Sequence, residues 1–208
     1  MLPFSPRIHQ AMDLAARAHQ DQYRKDNDCR IPYAAHVFGV AYLLAEFGFD
    51  EDVVVAGLLH DVLEDQPEYM ADVESFGPRV LGLVRAVSEQ KKDASGQEGP
   101  WEERKRDYIE HLRTARPEAR AISCADKIHN MQSILLSIQR GRPVWPVLTN
   151  QDPLEQVQRL VWLREALAEG WDHPILAAYD ATLDRLRPEA RKAARLLPSP
   201  PGGGRGRG

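Results

Sequence analysis

The sequence predicts an all-α domain, a single bundle of about eight or nine helices. Three observations predict it. Apolar residues recur at three- and four-residue steps along most of the chain. The periodic segments open on Ser, Asp or Pro and close near Gly. No two segments pair as a strand hairpin, and no internal repeat is present.

Taken in order, Ser5 caps a first helix with Pro6 in its first turn, and Ile8, Met12, Ala15 and His19 share one face. After Pro32 a second helix carries His36, Val40, Leu44 and Phe47 on one face and ends near Gly48. Asp50 caps a third. Its run Val53 to Leu59 is apolar all round, as expected of a helix in the middle of a bundle. Val53 to Val55 would suit a strand by composition, but the cap and the length of the run favour helix. Pro67 opens a short helix closed near Gly77, and Pro78 opens another to about Glu89.

The polar, glycine-containing stretch from Lys91 to Pro100 reads as a loop. A charged amphipathic helix follows from Trp101 to Ala115, then a long one from Pro117 to about Arg140. Gly141 to Asn150 holds two prolines and reads as a loop. Asp152-Pro153 starts a helix that ends at Gly170, and Asp172 to Leu186 is the last one predicted. Residues 198–208, PSPPGGGRGRG, form a low-complexity tail expected to be disordered, so the folded domain is expected over 1–197.

Composition narrows the function. Among 208 residues, 43% are hydrophobic and 28% charged, which suits a globular chain and excludes disorder of the whole. Lys plus Arg number 27 against 31 Asp plus Glu, a formal charge of −4, which argues against a nucleic-acid partner held by bulk charge. Cys29 and Cys124 are too few for a disulfide scaffold and point to a reducing compartment. No signal peptide is read at the start, and no apolar run approaches the roughly 20 residues of a membrane span. The expectation is a cytoplasmic protein with neither nucleic acid nor membrane as partner; its oligomeric state is not legible.

The chemistry is concentrated in Leu58-Leu59-His60-Asp61-Val62-Leu63-Glu64-Asp65. On a continuous helix His60 lies above Glu64 and Asp61 above Asp65. Ionisable groups at the end of a core helix need compensation. Either a metal supplies it, or the helix end is capped and exposed. A His with an Asp suits a borderline divalent ion such as manganese, iron, cobalt or zinc. His36 lies on the apolar face of its helix, either as a core histidine bonded to a neighbour or as a ligand. Asp126 falls in core register with Ile122 and Asn130, and so needs a buried partner, a metal or an arginine.

A histidine, a His-Asp pair about 25 residues later and a distant Asp on a long helix resemble the HD phosphohydrolase superfamily. Three motifs narrow the resemblance. Ala18-His19-Gln20-Asp21-Gln22-Tyr23-Arg24-Lys25 with Pro32-Tyr33-Ala34-Ala35-His36 is similar to AH-x-x-Q-x-RK … PY-x-x-H. His60 to Asp65 matches HD-x-x-ED, and Ala125-Asp126-Lys127-Ile128-His129-Asn130 matches AD[KR]-x-HN. Together they resemble the hydrolase domain of RelA/SpoT-type proteins and the stand-alone small alarmone hydrolases, over about residues 8–140.

The resemblance implies His36, His60, Asp61 and Asp126 as ligands of a divalent metal, usually manganese. It implies Glu64 and Asp65 as the catalytic acidic pair, Arg24 stacking on guanine with Lys25 beside it, and Asn130 at the ribose. The implied reaction is hydrolysis of the 3′-diphosphate of guanosine tetra- or pentaphosphate to GDP or GTP and pyrophosphate. A phosphatase for NADPH or a deoxynucleotide, or a non-hydrolytic alarmone-binding module, would carry much of the same pattern. Three departures stand out: Asp26 to Ile31 is longer and more charged than the family segment, Val37 replaces the proline after His36, and Gln132 replaces an arginine.

Overall fold

The computed structural model describes residues 5–25, 30–89, 97 and 99–196. Ten α-helices and two 3-10 turns follow one another, and among the described residues the only β pairing is an isolated bridge between Tyr23 and Pro32. Eight of the helices have nine residues or more, in keeping with the number expected. The tail at 198–208 and most of the 91–100 stretch lie outside the described residues.

Caps fall where their residue types require. Helix α1 (Pro6–Ala18) starts at Ser5, whose hydroxyl accepts from the Ile8 N–H. Helix α2 (Ala34–Glu46) is followed by Gly48 at φ 81°, a left-handed turn that favours glycine. Asp50 caps α3 (Glu51–Leu59), which is buried on every side from Val53 to Leu59. It packs between α1, α2 and α6 (Pro78–Val87).

The eight-residue segment from Leu58 to Asp65 departs from the continuous helix expected. Helix α3 stops at Leu59, His60 and Asp61 form a turn, and the four-residue α4 (Val62–Asp65) begins anew. The Pro67 segment is likewise split into a 3-10 turn and α5 (Met70–Glu74).

Helices α7 (Trp101–Thr114), α8 (Pro117–Gln139) and α9 (Pro153–Ala168) match expectation, and a 3-10 turn at Trp145–Val147 interrupts the predicted loop. The last helix, α10 (Pro174–Leu196), runs ten residues past its predicted end and through Pro188. An interior proline costs a helix roughly 3 kcal/mol. The cost is offset by an apolar face, Leu176, Tyr179, Leu183, Leu186 and Ala190, that stays in register across the proline and packs on α8 and α9.

Arg120 ties the far end of α8 to its neighbours without a carboxylate. Its buried guanidinium donates to the carbonyls of Arg113 and Ala115 at the end of α7, and of Leu167 and Glu169 at the end of α9. Helix C-termini present unsatisfied carbonyls and partial negative charge, so one cation serves both. Arg120→Met is expected to strand these acceptors and cost about 3 kcal/mol or more, read as a lower urea midpoint.

Candidate metal centre

Three elements meet at the middle of the bundle. His36 comes from the first turn of α2, His60 and Asp61 from the turn between α3 and α4, and Asp126 from the middle of α8. One ligand atom each from His36, His60 and Asp126 lies within 4.8 Å of the others. Asp61 Oδ2 enters the same space, 3.0 Å from His60 Nε2 and 3.6 Å from His36 Nε2, and Asp126 Oδ1 is 3.3 Å from His36 Nε2. The break after Leu59 makes this possible. Neighbours on a helix point about 100° apart, whereas the turn lets His60 and Asp61 converge.

The surroundings hold each ring and carboxylate in place. His60 Nδ1 bonds the Gly57 carbonyl at 2.9 Å, which puts the proton on Nδ1 and aims Nε2 into the centre. Nε2 itself is buried and faces Asp61 Oδ2. The Tyr33 hydroxyl donates to Asp61 Oδ2 at 2.7 Å. Asp126 accepts from Asn130 Nδ2 and from Lys127 Nζ. His36 Nδ1 lies 2.9 Å from Nδ1 of His129.

The charges respond accordingly. Burial opposes the charged form of Asp126, but Lys127 and the His36 and His60 imidazoles outweigh it and hold the carboxyl well below its usual range. Asp61 is likewise lowered against burial, chiefly by His60. His60 is lifted to about 9, because the Asp61 and Asp126 charges exceed the cost of burying a cation. Burial lowers His36, and burial with His36 beside it lowers His129 to about 4. A donor set of two imidazoles and two ionised carboxylates fits a divalent cation. A metal on His36 Nε2 requires the proton on Nδ1, and neutral His129 can accept it.

A cavity of about 900 Å³ opens from this centre. Glu64, Asp65, Arg24, Lys25 and Asn130 all line it, so every predicted site residue is at the cavity or the centre. Glu64 Oε2 accepts from the Glu89 N–H at 3.1 Å, and Asp65 Oδ2 from Gln22 Nε2 at 3.3 Å. Arg24 and Asn130, far apart in sequence, are bonded to each other at 2.6 Å, with the Arg24 guanidinium 5.6 Å above the Tyr33 ring. Lys25 bonds Thr149 at the rim. Trp101, Arg104, Lys105 and Arg159 line it too, with Arg104 and Lys105 paired to Glu89. Of the unusual 26–31 segment, residues 26–29 lie outside the described residues, and Arg30 sits 4.6 Å above the Tyr23 ring.

Three contributors carried no assigned role in the sequence, although the motifs include them: Tyr33, Gln22 and His129. For His129 the signal was Gly39, three residues after His36 and on the same face of α2. A Cβ at Gly39 would collide with the His129 ring. Gly39→Ala is therefore expected to displace His129 and weaken metal binding roughly 10- to 100-fold, measured by calorimetric titration.

A helical bundle that brings histidines and aspartates from three helices to one buried point defines the class of HD-type domains. The chain belongs to the HD domain family, whose model matches residues 11–143. It is similar to the guanosine-3′,5′-bis(diphosphate) 3′-pyrophosphohydrolase MESH1 of Drosophila melanogaster, 36% identical over 140 residues, covering 66% of this chain and 74% of that one. The human MESH1 protein is 38% identical over 128 residues, 60% of this chain and 68% of its own. A solved structure described as a metazoan ortholog of SpoT that hydrolyses ppGpp superposes with a TM-score of 0.69 at 30% identity, covering 91% of this chain and 98% of that one. No helix among the described residues is long and apolar enough to cross a membrane.

Proposed function

We propose that this chain is a metal-dependent phosphohydrolase that removes the 3′-diphosphate of guanosine tetra- or pentaphosphate as pyrophosphate, leaving GDP or GTP. The observation that carries this reading is the convergence of His36, His60, Asp61 and Asp126 on one point of a cavity lined by both acidic and basic side chains. These four would hold the ion, manganese by preference, in one HD domain over 1–197 that acts in the cytoplasm. When bound, the ion supplies a Lewis acid for the diphosphate oxygens and lowers the pKa of water.

The chain's own residues do the rest. Glu64 takes a proton from the attacking water, while its bond from the Glu89 N–H fixes the carboxylate. Asp65 orients that water from the same short helix. Arg24 offers a guanidinium face already aligned by Tyr33 and Asn130, suited to stacking on guanine. Lys25 lies at the rim, where it can meet a phosphate. Asn130 gives one N–H to Asp126 and keeps a second for a ribose hydroxyl.

Arg24→Ala is expected to raise KM for guanosine tetraphosphate about tenfold and to change kcat much less, because the base is remote from the reacting phosphorus. The reading as a whole is tested by product analysis of guanosine tetraphosphate, GTP, dGTP and NADPH with manganese. The alarmone is expected to have the highest kcat/KM. A preference for NADPH or a deoxynucleotide would reassign the substrate, and binding of the alarmone without turnover would reject the enzyme.

A further inference from the structure

One buried titratable group takes no part in the reading above. His19 ends α1, is 1% exposed, and packs its ring on Tyr33 at 4.9 Å. Its Nδ1 is hydrogen-bonded to Gln22 Oε1. Gln22 in turn donates from Nε2 to Asp65 Oδ2. We infer that His19 and Gln22 are a positioning pair that fixes the carboxylate of Asp65 for the chemical step, an inference that rests on the role given to Asp65 above.

Which atoms can donate decides how the amide is turned. An ionised carboxylate only accepts, so the amide must show Asp65 its N–H₂ end. The opposite orientation would set the amide oxygen against the carboxylate. With N–H₂ toward Asp65, Oε1 faces His19 and needs a donor, which His19 Nδ1–H supplies. The other ring nitrogen, Nε2, lies buried and makes no hydrogen bond. His19 thereby selects one of two nearly isosteric amide orientations.

The pair is also held by its backbone. The Gln22 N–H donates to the His19 carbonyl at 3.1 Å, and the Gln22 carbonyl accepts from the Tyr33 N–H at 2.9 Å. Both ends of the glutamine are therefore fixed before its side chain reaches out, which limits the entropy lost in holding Asp65. The same Tyr33 donates to Asp61, so Asp65 and the metal centre are set from one short stretch of chain.

Gln22→Met keeps the length of the side chain and removes both bonds. It is expected to lower kcat about tenfold while KM and metal content stay within about twofold of wild type. His19→Leu should do the same, and His19→Asn, which keeps a donor near the Nδ1 position, should recover most of the loss. Because the two residues act as a unit, Gln22→Met/His19→Leu should cost no more than either alone. Gln22→Glu sets a second carboxylate against Asp65, and the acid limb of its kcat profile should move to higher pH.

A Gln22→Met enzyme with kcat within twofold of wild type overturns the inference. So do losses that multiply in the double variant. If His19→Leu does not fold, Gln22→Met and Gln22→Glu at the half-buried surface still decide. All variants are compared with wild-type turnover of guanosine tetraphosphate. An active wild type with unaffected variants therefore rejects the positioning pair alone, whereas an inactive wild type rejects the proposed function.

Discussion

Asp61→Ala is expected to lose both bound metal and turnover. Asp61 Oδ2 stands within 3.6 Å of both imidazole Nε2 atoms, so its removal takes away one proposed ligand and a negative charge from the centre. A metal supplies several kcal/mol of charge stabilisation to a phosphoryl transition state, so the loss should be about 10³-fold or more. Stability gives a second readout. Wild type should gain about 2.7 kcal/mol when manganese is supplied at roughly 100 times its Kd, read as a rise in Tm, and Asp61→Ala should gain nothing. Full metal retention in both Asp61→Ala and His60→Ala would reject the centre.

Glu64→Gln should show the second large effect, with a different signature. The glutamine oxygen can still accept from the Glu89 N–H, so the local structure is kept while the proton acceptor is lost. A drop in kcat of roughly 10²-fold or more is expected, with metal content unchanged. Near-normal kcat would remove Glu64 from the chemistry.

Much of this arrangement was legible in the sequence, for physical reasons that differ between residues. The Val53 to Leu59 run was legible as a central helix, because its Asp50 cap and its length favour helix and a helix apolar all round has no face for water. Asp126 in core register announced a buried partner, and three neighbours answer it: the Lys127 ammonium and the His36 and His60 imidazoles.

The break at His60-Asp61 was not legible. Neither glycine nor proline marks it, and the four-residue spacing to Glu64 and Asp65 is that of an unbroken helix. The end of α10 was misread because Pro188 is a strong local stop signal, and only packing on α8 and α9 overrides it. The contacts of His129 with His36, and of Tyr33 with Asp61, join residues distant in sequence. Neither shows in a local pattern, although Gly39 marks the place where a ring must pass.

The central claim is hydrolysis of the alarmone at its 3′-diphosphate. Incubating the metal-loaded wild type with guanosine tetraphosphate and resolving nucleotide and phosphate products tests it most directly. GDP and pyrophosphate are expected in equal amounts, with neither formed by Asp61→Ala. Stepwise release of inorganic phosphate, or an unchanged alarmone alongside intact metal binding, would contradict it.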